Sequence, residues 1–305
     1  IDSRGGLFAP EGIRAEALRQ AKVEHGTVAE GPGGEAGLTA VECLGRATGP
    51  LTLLEGTPVN LETGDPGLAA MREALRRGHS VVSANKGPLV LAFQELAKLA
   101  ATHGDGLMYS ATVCGGLPAV NVGRYDLAHA TVTRLEGIVN STTHHLLTEM
   151  ARGRSFDEAL DEAQAAGIAE ADPTLDVSGW DAANKLIILA NSVLRYPATK
   201  HDVSVQGIEK ITVGDLQAAG REDKAIKLIA RAERTSDGHY TLTVQPRALS
   251  LSHPLARLSG HQMGLWLETD INGVLFLSIK EENPTPTAAA MLRDLVLLAR
   301  GARGW

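Results

Sequence analysis

Residues 51–86 read LTLLEGTPVNLETGDPGLAAMREALRRGHSVVSANK. LTLLEG (51–56) is a short apolar run closed by glycine and predicts a strand. TPVNLETGDP (57–66) is rich in turn formers. GLAAMREALRRG (67–78) spaces its apolar residues as a helix does and ends on Gly78. HSVVSANK (79–86) predicts a second strand with its turn. Strand, helix and strand of these lengths make a parallel crossover unit, so this stretch sets the fold class as α/β with a parallel sheet. Ligands in such sheets bind beyond the carboxyl ends of the strands. The turns Gly56–Thr57–Pro58 and Ser83–Ala84–Asn85–Lys86 are therefore candidate ligand turns.

Downstream, PLVLAFQELAKLAATHG (88–104) predicts a helix that closes at Gly104, and LMYSATV (107–113) predicts a third strand. Upstream, PEGIRAEALRQAKVE (10–24) reads as a helix with Pro10 near its start. GPGGEAG (31–37) reads as a flexible loop. Its Gly31, Gly33 and Ala36 satisfy the dinucleotide spacing G-x-G-x-x-A, but no β run precedes it and no long helix follows at once, so it is a decoy. IDSRGG opens the chain like the end of the second strand of a nucleotide-binding unit. With no initiator methionine, the expectation is that on the order of 30 residues precede it, the usual span of that motif.

The second half changes character. TVTRLEGIVNSTTHHLLTEMARG (131–153) is an alternating strand followed by a helix, and SFDEALDEAQAAG (155–167) is an amphipathic helix ending at Gly167. Strands near 226–233 and 239–249, then GLWLETDI (264–271) and GVLFLSI (273–279), fit an antiparallel arrangement. GDLQAAG (214–220) and TAAAMLRDLVLLARG (287–301) are helices.

A length of 305 residues suggests about two domains. Hydrophobic residues at 44% and charged residues at 21% give a soluble globular balance. A net charge of -7 argues against nucleic-acid or anionic-membrane partners. No apolar run approaches the roughly 20 residues that span a bilayer. Two cysteines, Cys43 and Cys114, suit a reducing cytoplasm rather than a disulfide framework. Cys114 has no basic neighbour in sequence, which favours a packed residue over a reactive thiol. The histidines lack zinc spacing.

Residues 167–185, GIAEADPTLDVSGWDAANK, concentrate Glu170, Asp172, Asp176, Asp181 and Lys185. Pro173 and Gly179 mark a turn-rich loop. After Asp181 the chain is apolar nearly all round, and Lys185 is the sole charge between Asp181 and Arg195. That pattern predicts a helix buried on most faces. Asp181 is placed to cap its start, and it shares a face with Lys185 four residues on. A surface salt bridge is the commonplace reading of such a pair. In so apolar a helix the ammonium must instead line a cleft or be paired. A lysine held by one carboxylate beside three more suits an amino-acid-like substrate and a proton transfer.

This stretch closely resembles the homoserine dehydrogenase signature E-x-D-P-x-x-D-x-x-G-x-D-x-x-x-K. S-A-N-K-G-P-L at 83–89 is similar to the family's T-A-N-K motif, and the resemblance covers roughly residues 50–300. It implies a Rossmann-like parallel-sheet domain, N-terminally incomplete, at 1–112, to which 284–305 return. An α+β catalytic and dimerisation domain would occupy 113–283. It further implies a cytoplasmic homodimer that interconverts L-aspartate 4-semialdehyde and L-homoserine with NAD or NADP. Lys185 would handle the proton with Asp181 orienting it, and Lys86 would polarise the carbonyl or place the nicotinamide. Glu170 and Asp176 would hold the substrate, with Thr142 of the N-S-T-T segment (140–143) nearby. Thr57, Lys86, Gly167 and Arg4 would meet the cofactor, and Asp2 opposes Arg4 as a ribose ligand. Asn140, Thr142 and Thr143 serve equally well as helix caps. Many members place a glutamate where Ser110 stands, beside carbonyls of Val113, Gly115 and Leu117, to surround sodium. Ser110 lacks that charge, so no metal is expected. IKEENPTP (279–286) replaces a glycine-rich loop over the cofactor. A nicotinamide enzyme for another amino acid, or a non-catalytic amino-acid sensor, are the alternatives.

Overall fold

The computed structural model describes residues 1–103 and 106–302, so the expected helix end at Gly104 lies outside the described residues. The chain divides into two compact units, Ile1–Met108 with the stretch from Leu295, and Tyr109–Asp294.

In the first unit β1 (Gly5–Leu7) leads through α1 (Ala15–His25) to β2 (Gly34–Ala36), and α2 (Ala40–Gly45) follows. β1 and β2 pair antiparallel in a sheet of their own. Two expectations are corrected here. IDSRGG does not enter the parallel sheet, and part of the 31–37 segment is strand rather than loop. The approach is close: a Cβ on Gly34 would come within 2.3 Å of the Ala29 carbonyl oxygen. Glycine lets this short ribbon fold back.

The deciding stretch folds as read. β3 (Thr52–Glu55), α3 (Gly67–Arg76), β4 (Ser80–Ser83), α4 (Lys86–His103) and β5 (Leu107–Met108) form a parallel sheet in the order β3-β4-β5. α3 buries Leu68, Met71, Ala74 and Leu75 along one stripe, the amphipathic geometry that covers a sheet face. α4 starts directly at Lys86 and is interrupted at Ala92, whose backbone is non-helical. The third strand is shorter than the sequence predicts. Ser110 donates its N–H to Asp294 Oδ2 at 2.9 Å and begins a 3-10 turn, Ser110–Thr112. A backbone donor given to a side chain is lost to a strand ladder.

The second unit runs α5 (Ala119–Asn121), β6 (Val132–Ile138), α6 (Ser141–Ala151), α7 (Phe156–Ala165), α8 (Thr174–Val177), α9 (Trp180–Ser192), β7 (Val203–Val205), α10 (Val213–Arg221), β8 (Lys224–Arg234), β9 (Tyr240–Ser250), β10 (Gln262–Thr269) and β11 (Val274–Lys280). α11 (Thr285–Ala299) closes the chain, and the division between the units passes through it after Asp294. The six strands lie in the order β11-β10-β6-β8-β9-β7. All pairs are antiparallel except β7 with β9. α9 is the most buried helix of this unit, with Leu186, Ile187, Ile188 and Leu189 fully out of water. That follows from a helix with no polar face.

Candidate active site

In the first unit, the ends of β3 and β4 are joined by one buried carboxylate. Glu55, 2% exposed, accepts from the Ser83 hydroxyl at 3.0 Å and from the Thr57 N–H at 2.9 Å. The Thr57 hydroxyl also donates to it, and Asn85 Nδ2 donates to the Thr57 oxygen at 3.2 Å. Asn85 Oδ1 in turn accepts from the Gly87 N–H at 2.9 Å. The two candidate turns are thus one hydrogen-bonded assembly, with Lys86 at the first residue of α4. Helix N-terminal amides and a lysine at a strand end suit an anionic ligand. Glu55 was missed by the sequence reading because its partners Ser83 and Asn85 come from another segment.

Arg4, also in this unit, pairs with Glu30 at 2.9 Å and donates to the His25 carbonyl at 2.6 Å. Asp2 accepts from Thr27, Val28, Arg4 and Lys22. Despite the opposing cost of burial, these bonds hold its carboxyl well below the usual range.

In the second unit, α6 and α9 present their N-terminal turns to each other. Asn140 caps α6, its Oδ1 accepting from the Thr143 N–H at 2.8 Å. Its amide nitrogen donates to Asp176 Oδ1 at 2.6 Å and to Asp181 Oδ2 at 2.7 Å. Gly179, at φ 84, delivers the chain into α9 without a side-chain cap. Asp181 does not serve as that cap, contrary to the sequence expectation. Its carboxylate is taken by Asn140 and by Lys185 Nζ at 2.8 Å. The Lys185 ammonium donates also to the Val139 carbonyl at 2.7 Å.

Burial opposes the charge on Lys185. The pull of Asp181, joined by Cys114 and Asp176, more than offsets it and raises the pKa above the ordinary lysine value. We assign that rise to the two aspartates, because burial pushes the Cys114 thiol up to about 12 and leaves it neutral. The ammonium is thereby kept charged inside an apolar helix. It has three donors, and these two contacts take two of them.

The remaining predicted residues sort clearly. Thr142 donates to the Ile168 carbonyl at 3.1 Å and so ties α6 to the turn where Gly167, at φ 70, ends α7. Glu170 follows in this turn and is exposed. Asp172, just before α8, accepts from the Thr174 N–H at 3.0 Å. The structure thus brings Asp176, Asp181 and Lys185 together around Asn140, whereas Asp172 has a structural task. His144 faces the carbonyls of Gln262 and Leu258, and His145 stacks on His261.

Two further features escaped the sequence. Glu281, in the 279–286 segment, accepts from the Gly116 N–H at 2.5 Å, and a Cβ on Gly115 would meet its carboxylate at 2.4 Å. Ser110 lies in a buried cluster. Its hydroxyl donates to Asp294 Oδ1 at 2.7 Å and accepts from Arg293 at 2.9 Å. Arg293 also reaches the Gly116 carbonyl at 3.4 Å, so a guanidinium supplies positive charge there. Among the described residues no group of three or more His, Cys, Asp or Glu side chains is placed to hold a metal ion.

A parallel-sheet unit with polar turns at its strand ends, and a second unit built around a buried lysine–aspartate pair, define a two-part α/β protein with a polar site in each unit. Comparison with known proteins gives the family. The homoserine dehydrogenase family model matches residues 118–296. The chain is 36% identical over 302 residues to the NAD(+)-dependent homoserine dehydrogenase of Pseudomonas canavaninivorans, covering 98% of this chain and 84% of that protein. It is 34% identical over 296 residues to the homoserine dehydrogenase of Methanocaldococcus jannaschii, covering 97% and 86%. The crystal structure of homoserine dehydrogenase from Thermoplasma acidophilum superposes with a TM-score of 0.82 at 27% identity, over 98% of this chain and 88% of that one. This chain belongs to the homoserine dehydrogenase family.

Proposed function

We propose that this chain interconverts L-aspartate 4-semialdehyde and L-homoserine with NAD or NADP, and that Lys185 carries the proton. The observation that supports this reading most is the fixed ammonium of Lys185, between Asp181 at 2.8 Å and the Val139 carbonyl at 2.7 Å. The reduced nicotinamide, when bound, supplies the hydride. As the aldehyde carbon gains it, negative charge grows on the carbonyl oxygen, and Lys185 stabilises that charge and delivers a proton to it. In the reverse direction Lys185 accepts the hydroxyl proton of homoserine. Asp181 and Asn140 keep its amine aimed throughout.

Glu170 holds the substrate ammonium, and Asp176 supports the network through Asn140. Thr142 keeps the Glu170 turn in place through Ile168. Thr57 and Lys86, presented at the ends of β3 and β4, are the residues that would hold the cofactor. Gly167 and Arg4 extend that contact, Arg4 on release from Glu30. Lys86 additionally polarises the carbonyl. A cytoplasmic homodimer through the second unit completes the reading. The exposed Ile271 in the β10–β11 turn, with Val274 and Phe276 on β11, supports such an interface. Among the described residues no helix is long and apolar enough to cross a membrane.

Lys185→Met tests the assignment. It keeps the bulk and removes the proton, so nicotinamide absorbance with aspartate semialdehyde should show kcat reduced at least about a hundredfold. Cofactor affinity should be nearly unchanged. Near-normal turnover would take Lys185 out of the chemistry.

A further inference from the structure

Lys227 is a charge that the reaction does not use. It lies on β8, 6% exposed, and donates to His144 Nε2 at 2.9 Å and to the Leu258 carbonyl at 3.0 Å. Both acceptors are neutral. His144 gives its Nδ1 hydrogen to the Gln262 carbonyl at 2.7 Å, which leaves Nε2 as the acceptor. No carboxylate reaches Lys227 among the described residues, and burial brings its pKa down to about 8. A buried ammonium with only neutral partners is costly unless an anion completes it.

The space for that anion is present. A cleft of about 640 Å³ opens onto Lys227 between α6, α10, the start of β8 and the 254–259 turn. Arg152, Arg221, Lys224 and Arg257 line it with Lys227, and no Asp or Glu does. Arg152 and Lys224 also reach Glu149 at 2.6 Å and Glu222 at 2.9 Å, acids that sit outside the lining. Leu216 and Ile226 give one apolar wall. A cleft of this size takes a metabolite rather than a single ion. Several guanidinium and ammonium groups lining one space can recognise more than one acidic group.

We propose that this cleft binds a small, multiply charged organic oxyanion, a phosphate ester or a polycarboxylate, with Lys227 at its floor and Arg221 at its mouth. The site is separate from the reacting lysine. It lies at the last turns of α6, whereas Asn140 caps the first.

Calorimetric titration of the full chain, with NADPH saturating so that cofactor-directed phosphate binding is blocked, tests this with two probes. Inorganic pyrophosphate stands for the phosphate esters and citrate for the polycarboxylates. At least one should bind at one site per chain, and the one that binds tells which class the cleft takes. Lys227→Met should weaken it at least about tenfold and Arg221→Ala about threefold or more, the usual scale for losing a charge-assisted contact. Binding of neither probe overturns the proposal, as does unchanged affinity in the variants. If Lys227→Met does not fold, Arg221→Ala decides alone: wild-type affinity in that variant rejects the site.

Discussion

The Asn140 amide nitrogen lies 2.7 Å from Asp181 Oδ2, and Asp181 in turn holds Lys185. One neutral side chain thereby joins the start of α6 to α9, the helix of Lys185. It also sits between two carboxylates, Asp176 and Asp181, that would otherwise face each other with less screening. Asn140→Ala removes the cap of α6 and leaves both acids short of a donor. The expected loss of stability is about 2 kcal/mol, accompanied by a lower kcat. Asn140→Asp keeps a capping oxygen but adds a third negative charge, so it should lose kcat as well. Urea unfolding and steady-state kinetics read both variants. Wild-type values in both would mean that Asn140 is only one helix cap among several.

The raised pKa of Lys185 has a sign that kinetics can read. If Lys185 carries the proton, it must start charged in aldehyde reduction, and it stays charged up to and beyond the ordinary lysine range. In homoserine oxidation it must then start neutral. The oxidation rate should therefore climb through the alkaline range without levelling below about pH 10. Asp181→Asn removes the main raising influence and leaves burial, which lowers the pKa. Both pH profiles should move to lower pH in that variant, and profiles that stay in place would rule out Asp181 as the group that tunes the lysine. The same raised pKa contributes stability that is complete below the unfolded lysine value and disappears as pH climbs through the folded one.

Glu170 should separate from Lys185 by role. If it grips the substrate ammonium, Glu170→Gln weakens ground state and transition state alike, and KM rises while kcat holds. A fall in kcat at constant KM would move Glu170 into the chemistry.

His144 sets an acid limit on the fold. Burial, reinforced by the neighbouring Lys227, depresses its pKa to about 4. The unfolded chain binds a proton near pH 6.5 that the folded chain refuses. Stability from this group is therefore complete above pH 6.5 and is lost as pH falls toward 4, by roughly 3 kcal/mol in all. In His144→Asn the slope of unfolding free energy against pH should flatten across that window. An unaltered slope would show that other groups carry the acid transition.

What the sequence disclosed was local. Asp181 and Lys185 are legible as a pair because four residues set them on one helical face. The apolar run around Lys185 already implies its burial. β3, α3 and β4 are legible because Gly56, Gly78 and the spacing of apolar residues mark their limits. The shortening of β5 was not legible, since the carboxylate that diverts the Ser110 N–H lies 184 residues away. Glu281 reaches Gly116 across 165 residues, and Asn140 reaches Asp181 across 41. Such contacts depend on where the completed fold brings distant turns together. The capping motif around Asn140 pointed to the right residue but could not show that the same amide serves two acids of another segment.

The Val139 carbonyl that receives the Lys185 ammonium lies directly after β6, a strand held on both sides by β8 and β10. Side chains and carbonyls of a strand reverse direction at every residue. A slip of β6 by a single position would turn that oxygen away and leave the buried ammonium with Asp181 but one acceptor short. The Lys185–Val139 contact thus acts as an internal gauge of assembly. Chains that pair their strands out of step forfeit a buried ion contact, so misregistered molecules are penalised at the same ammonium to which the proposed proton transfer is assigned.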